Sequence, residues 1–446
     1  MDQPITDLVD LIPPEHQAIL GQSVDEARGR LLAADPQEAA KIRGSFALVA
    51  RDGIEVRLAR SLDRPLRYFL AKQEAGPLLV VAERIDEIRA FLAERGMEGQ
   101  FHPSYTRMVP AHHVVTLRLV GCPDPNPRYQ RFLPVPAAGE ALPADRDHLG
   151  RLYVEALYRE CGEWLEAQES GVPVGVLFSG GLDSGSVFLA LYRALLDRGE
   201  SPARLKAFTL SVDSVGADAA QARDFLRRLD LELFLEAVEV PLDRLDPRRA
   251  IEVIEDYKPL DVECATVNLV LVEEIRRRYP EWRLLADGDG GDENLKDYPI
   301  EANPELTIRS VVNNPLLYQE GWGVDCVKHS LTYSGGFSRG CVRGYAPLAR
   351  FGFRGFSPFT RPALVAVAAA MPFAGLAAGD HGRLYALKGD LLSRGVRQAL
   401  GFELPVFEKR RFQHGAVSSE GFSRIFDPSG ESYRRHFLSL FVRSAA

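Results

Sequence analysis

The stretch VLFSGGLDSGSVFLALYRALL runs from Val176 to Leu196, and its reading decides the fold. Val174 to Phe178 have the length and composition of a buried strand. Ser179, Gly180, Gly181, Leu182, Asp183 and Ser184 interrupt it, and Val187, Phe188, Ala190, Leu191 and Leu195 then return at helical intervals. The chain therefore passes from a strand end through a tight glycine turn into a helix start. Adjacent glycines reach conformations other residues resist and leave no Cβ in the way of a ligand. The free N–H groups and dipole of the following helix favour an anion. Ser179 and Ser184 add hydroxyl donors. A carboxylate at Asp183 beside an anion calls for a divalent cation between them, so the local chemistry points to a magnesium polyphosphate. A Walker loop is excluded, because no lysine follows the glycines at the required place.

Outward from this turn, the helical pattern HLGRLYVEALYRECGEWLEAQ precedes it, and LKAFTLSVD, LELFLEAVEV and WRLLADGDGGDEN follow. Helix and strand patterns alternate, which predicts an α/β class with a largely parallel sheet and ligands at the carboxyl ends of its strands. The third segment opens a loop carrying Asp287, Asp289, Asp292 and Glu293, with Asp297 close behind. So many carboxylates repel one another unless cations or solvent relieve them, and a solvated acidic turn is the plain alternative. Because WRLLA leads straight into it, this loop belongs at the same sheet edge as Asp183. Asp183 and Asp292 are then placed to hold Mg²⁺ against phosphates from two sides.

Upstream, GSFALVA, EVRLARS, LRYFLA, GPLLVVA and VVTLRLV read as short strands, with RIDEIRAFLAER as an amphipathic helix among them. This predicts an α+β unit that ends at the proline-rich tract CPDPNPRYQRFLPVPAAGEALPADRD, read as a linker. The chain divides on this reading into residues 1–140 and 141–446.

The composition is that of a globular protein: 446 residues, 46% hydrophobic and 26% charged. A formal charge of -8 argues against nucleic acid as the main partner. No membrane-length apolar run occurs, and MDQPITDLVDLIPPEH lacks a basic leader with an apolar core, so a cytoplasmic address is expected. Cys122, Cys161, Cys264, Cys326 and Cys341 are scattered and odd in number, which speaks against a disulfide scaffold or compact zinc site. His112 and His113 fall in a strand pattern that points them to opposite faces, in solvent or packing roles.

The motifs resemble the asparagine synthetase family of the ATP pyrophosphatase type. GVPVGVLFSGGLDSG is similar to its phosphate loop and GDGGDE to its acidic loop. The likeness continues through SPFTRPALVAVAAAMPF and ALKGDLLS to LPVFEKRRFQHG, and backward through SLDRPLRYF, VAERIDEIRAFL and RMVPAHHVV, from residue 43 to 415. It implies an Ntn-type glutaminase-like α+β domain followed by an adenine-nucleotide α-hydrolase-like parallel-sheet domain. It also implies ATP and Mg²⁺: a substrate carboxylate attacks the α-phosphate, pyrophosphate leaves, and an amine attacks the acyl-adenylate. On this resemblance Ser179, Gly180, Gly181, Asp183 and Ser184 hold the phosphates, and Asp183 and Asp292 the metal. Backbone near Leu210 and Gly288 contacts the nucleoside. Lys409 is the preferred catalytic cation, with a solvated basic patch as the alternative, and Lys388 stands second.

The pattern also breaks. The chain starts Met1, Asp2, Gln3 and has no cysteine before Cys122, so the nucleophile of a working glutaminase is missing and that domain is expected to be degenerate. Asp289 stands where ordinary members carry glutamate; it is expected to orient water or take a proton. Arg354 replaces another glutamate, either to pair with a substrate carboxylate or as a structural ion pair. Tyr298 and Tyr345 fall near the acceptor region, with packing as their plain role. The resulting expectation is an amide-forming synthetase without its own ammonia source, like β-lactam synthetases, carbapenam synthetases and lasso-peptide cyclases. Its partners would be a small-molecule or peptide carboxylate and amine, in a homodimer. Use of free ammonia or an external amine is the enzymatic alternative, and a noncatalytic nucleotide-binding homologue the other.

Overall fold

A computed structural model describes residues 7–118, 127–133, 141–214, 216–297, 300, 307–313, 341–407 and 415–441. The first strands are β1 (Asp7–Asp10), β2 (Ala18–Leu20), β3 (Arg43–Ser45), β4 (Ala47–Asp52) and β5 (Glu55–Arg60). They are followed by β6 (Arg67–Gln73), β7 (Gly76–Ala82), β8 (Arg107–Met108), β9 (His113–Arg118) and β10 (Arg128–Arg131). Two four-stranded sheets result, ordered β1-β7-β6-β8 and β10-β9-β5-β4, and β2 pairs with β3. Alternation along β7 explains how they stack. Leu79 and Val81 face inward to Val56, Leu58 and Val115 of the other sheet, while Leu78 and Val80 face outward under Ile88 and Leu92 of helix α2 (Ile85–Glu94). Helix α1 (Val24–Leu31) covers the opposite outer face with Ala27 and Leu31. The layers are helix, sheet, sheet, helix.

Two local expectations are corrected here. The proline-rich tract is not wholly a linker, because Arg128–Arg131 pairs antiparallel with β9, Arg128 opposite Thr116 and Arg131 opposite His113. The two histidines do not alternate in and out of a strand: β9 begins only at His113, and His112 turns the chain at φ 58°. Both side chains are therefore buried, His112 edge-on to Phe132 at 5.9 Å and His113 Nδ1 2.7 Å from the carbonyl of Ala111.

The second half opens with α3 (Arg146–Glu166), whose first turn is capped by the Asp145 carboxylate accepting from the amides of Asp147 and His148. Then follow β11 (Val174–Leu177), α4 (Leu182–Asp197), β12 (Leu205–Val212), α5 (Ala217–Arg227), β13 (Leu235–Val240) and α6 (Pro247–Ile254). They continue with α7 (Pro259–Arg278), β14 (Leu284–Ala286), α8 (Gly291–Leu295) and β15 (Arg354–Phe356). The five strands pair only in parallel, in the order β13-β12-β11-β14-β15. Val174, Val176, Leu284, Ala286 and Phe356 face α3, α4 and α5 on one side. Leu177, Phe208, Leu210 and Leu285 face α7 on the other. Trp164 of α3 lies flat on Phe356, centroids 4.4 Å apart. The chain order reverses at β11, which has the later β14 on one side and β12 on the other. Loops leaving β11 and β14 therefore meet at a topological switch point, the place where parallel sheets open a crevice.

Charged groups join the halves. Glu255, buried, accepts from the amides of Ile85 and Asp86 at 2.8 Å each and so caps α2 from the other half. Buried Asp63 accepts from the hydroxyls of Ser45 and Ser61 and lies 3.4 Å from Arg361. The helix Glu431–Phe441 lies across both parts, its Phe441 ring 6.3 Å from Phe101 and its Phe437 ring 5.3 Å from Tyr257.

Candidate functional site

The turn after β11 depends on its glycines. Gly180 has φ +73°, and a Cβ there would fall 2.7 Å from the backbone of Ala222 in α5. Gly181 caps α4, and its N–H donates to Ser179 Oγ, 3.3 Å, which in turn lies 3.3 Å from Ser184 Oγ. Ser179 and Ser184 thus close the turn and leave the amino end of α4 at the sheet edge. Asp183 sits in that first turn, where the helix dipole favours its charge.

The loop after β14 presses against it. A Cβ at Gly288 would fall 2.8 Å from the amide nitrogen of Ser184, and one at Gly291 would overlap the Asp183 carboxylate. Asp292 and Glu293 start the short helix α8 rather than an open loop. Asn294 anchors it by donating to Tyr153 Oη at 2.8 Å and to the carbonyl of Phe359 at 2.9 Å. Lys388, on the helix His381–Gly395, is 3% exposed and its Nζ binds both Asp183 and Asp292, with Asp297 3.5 Å away. Burial alone would lower the pKa of this ammonium, but the three carboxylates hold it well above the ordinary value.

Behind this cluster lies a second one. Asp287 accepts from the amide of Asp289 at 3.0 Å. Among the described residues the second carboxylate oxygens of both are buried without a hydrogen-bond partner, and both lie beside Gly344, where a Cβ would be 3.0 Å from Asp289 Oδ2 and 3.1 Å from Asp287 Oδ2. Burial and the neighbouring charge of Asp289 push Asp287 well above the usual carboxylate range, with Ser357 opposing. Burial pushes Asp289 up to about 6, with Arg343 pulling it down and Glu293, Asp292 and Asp261 pushing it up. Arg343 donates to Glu293 at 3.2 Å.

Ser179, Gly180, Gly181, Asp183, Ser184, Gly288 and Asp292 are thus brought to one sheet edge, with Asp289 behind them. Leu210 joins through its backbone. Phe178 N–H donates to the carbonyl of Phe208, 2.7 Å, where β11 ends. Leu210, two residues on, turns its own N–H and C=O to that same side, past the end of β11. Arg354 does not join them. It is exposed, opens β15 opposite Leu284, and stands at the amino end of a strand whose carboxyl end carries Ser357 to the site. Lys409 and Tyr298 lie outside the described residues. Among the described residues Lys388 is a cation brought to Asp183 and Asp292. The available signal was its place between Leu384 and Leu392, four residues either way, on the buried stripe of its helix.

The donor set suits a magnesium nucleotide better than a free ion. Among the described residues no group of three or more His, Cys, Asp or Glu could hold a metal. Mg²⁺ commonly takes only one or two protein carboxylates and completes its shell with phosphate oxygens and water. Two carboxylates already sharing a cation, beside a glycine turn that a Cβ would close, fit that arrangement. Among the described residues no helix is long and apolar enough to cross a membrane.

Fold and site define an α/β protein in which a glycine turn and an acidic loop meet at the switch point of a parallel sheet. Residues 166–329, which hold both loops, match the family described as asparagine synthase, and this supports an ATP-using, ligase-like enzyme in general terms. No curated protein matches the chain. Among solved structures, the U34-tRNA thiolase NcsA from Methanococcus maripaludis with its 4Fe-4S cluster aligns at 12% identity over 68% of this chain and 85% of that one. Its TM-score of 0.27 is too low for the likeness to bear on fold or function.

Proposed function

We propose that this protein is an ATP-dependent, AMP-forming carbon–nitrogen ligase. A substrate carboxylate oxygen attacks the α-phosphorus of ATP and pyrophosphate leaves. An amine then attacks the acyl carbon of the adenylate, AMP departs, and the amine gives up a proton. The observation that carries this reading is the meeting of the Gly180–Gly181 turn with Asp183, Asp292 and Lys388 at the amino end of α4.

The turn and the α4 amides would bind pyrophosphate oxygens. The backbone edge at Leu210 would take the nucleoside. Asp183 and Asp292 would hold Mg²⁺, which neutralises phosphate charge when bound. Lys388 would supply a fixed positive charge where the leaving pyrophosphate develops negative charge. Asp289, pushed up to about 6, is suited to accept the amine's proton near neutral pH. Lys409 completes the cation set on the family resemblance.

We further read the first half as a degenerate glutaminase. Its helix, sheet, sheet, helix layering supports the glutaminase-like part of this reading. The amine then belongs to the substrate, as in specialised amide or lactam formation. Product analysis tests the chemistry: with ATP, Mg²⁺ and candidate amino-carboxylates, the expected pair is AMP and pyrophosphate. ADP and phosphate in their place would contradict it.

A further inference from the structure

Three consecutive residues tie the acidic loop to the first half of the chain. Arg343 reaches Glu293, and Gly344 lies against the carboxylates of Asp287 and Asp289. Tyr345 turns the other way and donates its hydroxyl to Glu83 Oε2 at 2.8 Å. Glu83 is 4% exposed and follows β7, deep in the first half. It also pairs with Arg64, whose guanidinium covers the Tyr345 ring at 4.7 Å, and its Oε2 lies 3.1 Å from His16 Nδ1. The segment Cys341–Tyr345 is a single π-helical turn, a rare geometry found frequently at functional sites. A cavity of about 600 Å³ opens beside it, with Glu83, Tyr345, Arg67 and Glu255 in its wall.

We propose that Glu83 and Tyr345 are positioning residues for the acidic loop, so that the amino-terminal half forms part of the synthetase site. Tyr345 holds Gly344 against Asp287 and Asp289 and keeps Arg343 on Glu293. Loss of the Tyr345–Glu83 bond frees the turn to move, and the acidic loop loosens with it. The consequence for turnover rests on the ligase reading, whereas the mechanical coupling does not.

The test is amide hydrogen exchange over residues 287–297 in Tyr345→Phe, which keeps the ring under Arg64 and removes only the hydroxyl. We expect at least fivefold faster exchange there, with peptides of β4 and β5 unchanged. Glu83→Leu, which removes the acceptor altogether, should speed exchange in the same peptides at least as much, and adding Tyr345→Phe to it should bring no further gain, since the bond is already lost. Where condensation is measurable, kcat should fall about tenfold with the KM for ATP within twofold, the mark of a misplaced group rather than a lost binding contact. Unchanged exchange in Tyr345→Phe overturns the proposal whatever happens to turnover. Faster exchange in a protein that never makes AMP upholds the coupling and rejects the ligase reading instead. If Glu83→Leu does not fold, Tyr345→Phe decides alone.

Discussion

Replacing Asp289 by asparagine should stabilise the protein at neutral pH while impairing its chemistry. The carboxyl lies within a buried acidic group, and its pKa of about 6 in the fold compares with an ordinary 3.8. A difference of two pH units corresponds to about 3 kcal/mol at most of native-state ionisation cost. Neighbouring Asp287 can carry the shared proton in its place, so a gain of ~1–2 kcal/mol is the working figure. The sign follows from proton linkage. Between about pH 4 and pH 6 the folded chain binds more protons at Asp289 than the unfolded chain, so wild-type stability falls as pH rises through that window. Asp289→Asn lacks this term. Urea unfolding at fixed intervals from pH 4 to pH 8, without Mg²⁺ or nucleotide, should show the two proteins equally stable near pH 4. Above pH 6 the variant should be the more stable by the full difference. A variant less stable at pH 8, or a difference independent of pH, would refute the placement of Asp289 among buried like charges.

Other outcomes follow from the same geometry. Gly180→Ala forces a Cβ into the α5 backbone at φ +73° and should cost about 2 kcal/mol or more, read as a lowered Tm; an unchanged Tm would mean that the turn relaxes. Lys388→Met leaves Asp183, Asp292 and Asp297 without their shared cation and should destabilise by about 3 kcal/mol, with millimolar Mg²⁺ restoring more stability to the variant than to the wild type. An equal Mg²⁺ response in both would remove Lys388 from the metal's surroundings. Asp183→Asn should keep the fold and reduce pyrophosphate release at least a hundredfold at saturating Mg²⁺; retained release would end its assignment as a ligand. Arg354→Ala, at an exposed edge position, should leave both stability and turnover within twofold of wild type.

The parts of this fold that are local in sequence were legible, and those set by register were not. Val174–Leu177, the glycine turn and α4 read correctly because strand, turn and helix follow one another within a few residues. The meeting of Asp183 with the acidic loop was also legible, since a parallel sheet sends the ends of β11 and β14 to one edge. Arg354 was misplaced because its nearness to Pro358 in sequence conceals its register: pairing with Leu284 leaves it at the far end of a three-residue strand. Lys388 is harder to place from sequence, because a lysine in a helical pattern reads as surface until the buried stripe of its neighbours is followed. Nothing within residues 287–293 announces that Gly344 closes over Asp287 and Asp289, or that Tyr345 reaches Glu83, 262 positions away. Such contacts join parts of the chain that carry no shared local pattern.

The account depends most directly on carboxylate activation, and ATP–pyrophosphate exchange measures that step alone. Purified protein with Mg²⁺, ATP and labelled pyrophosphate should incorporate label into ATP only when a substrate carboxylate is present, drawn from pooled amino-carboxylates and peptides. Asp183→Asn should abolish the exchange. Equal label incorporation with and without carboxylate, or carboxylate-dependent turnover that releases ADP in place of AMP, would contradict the account.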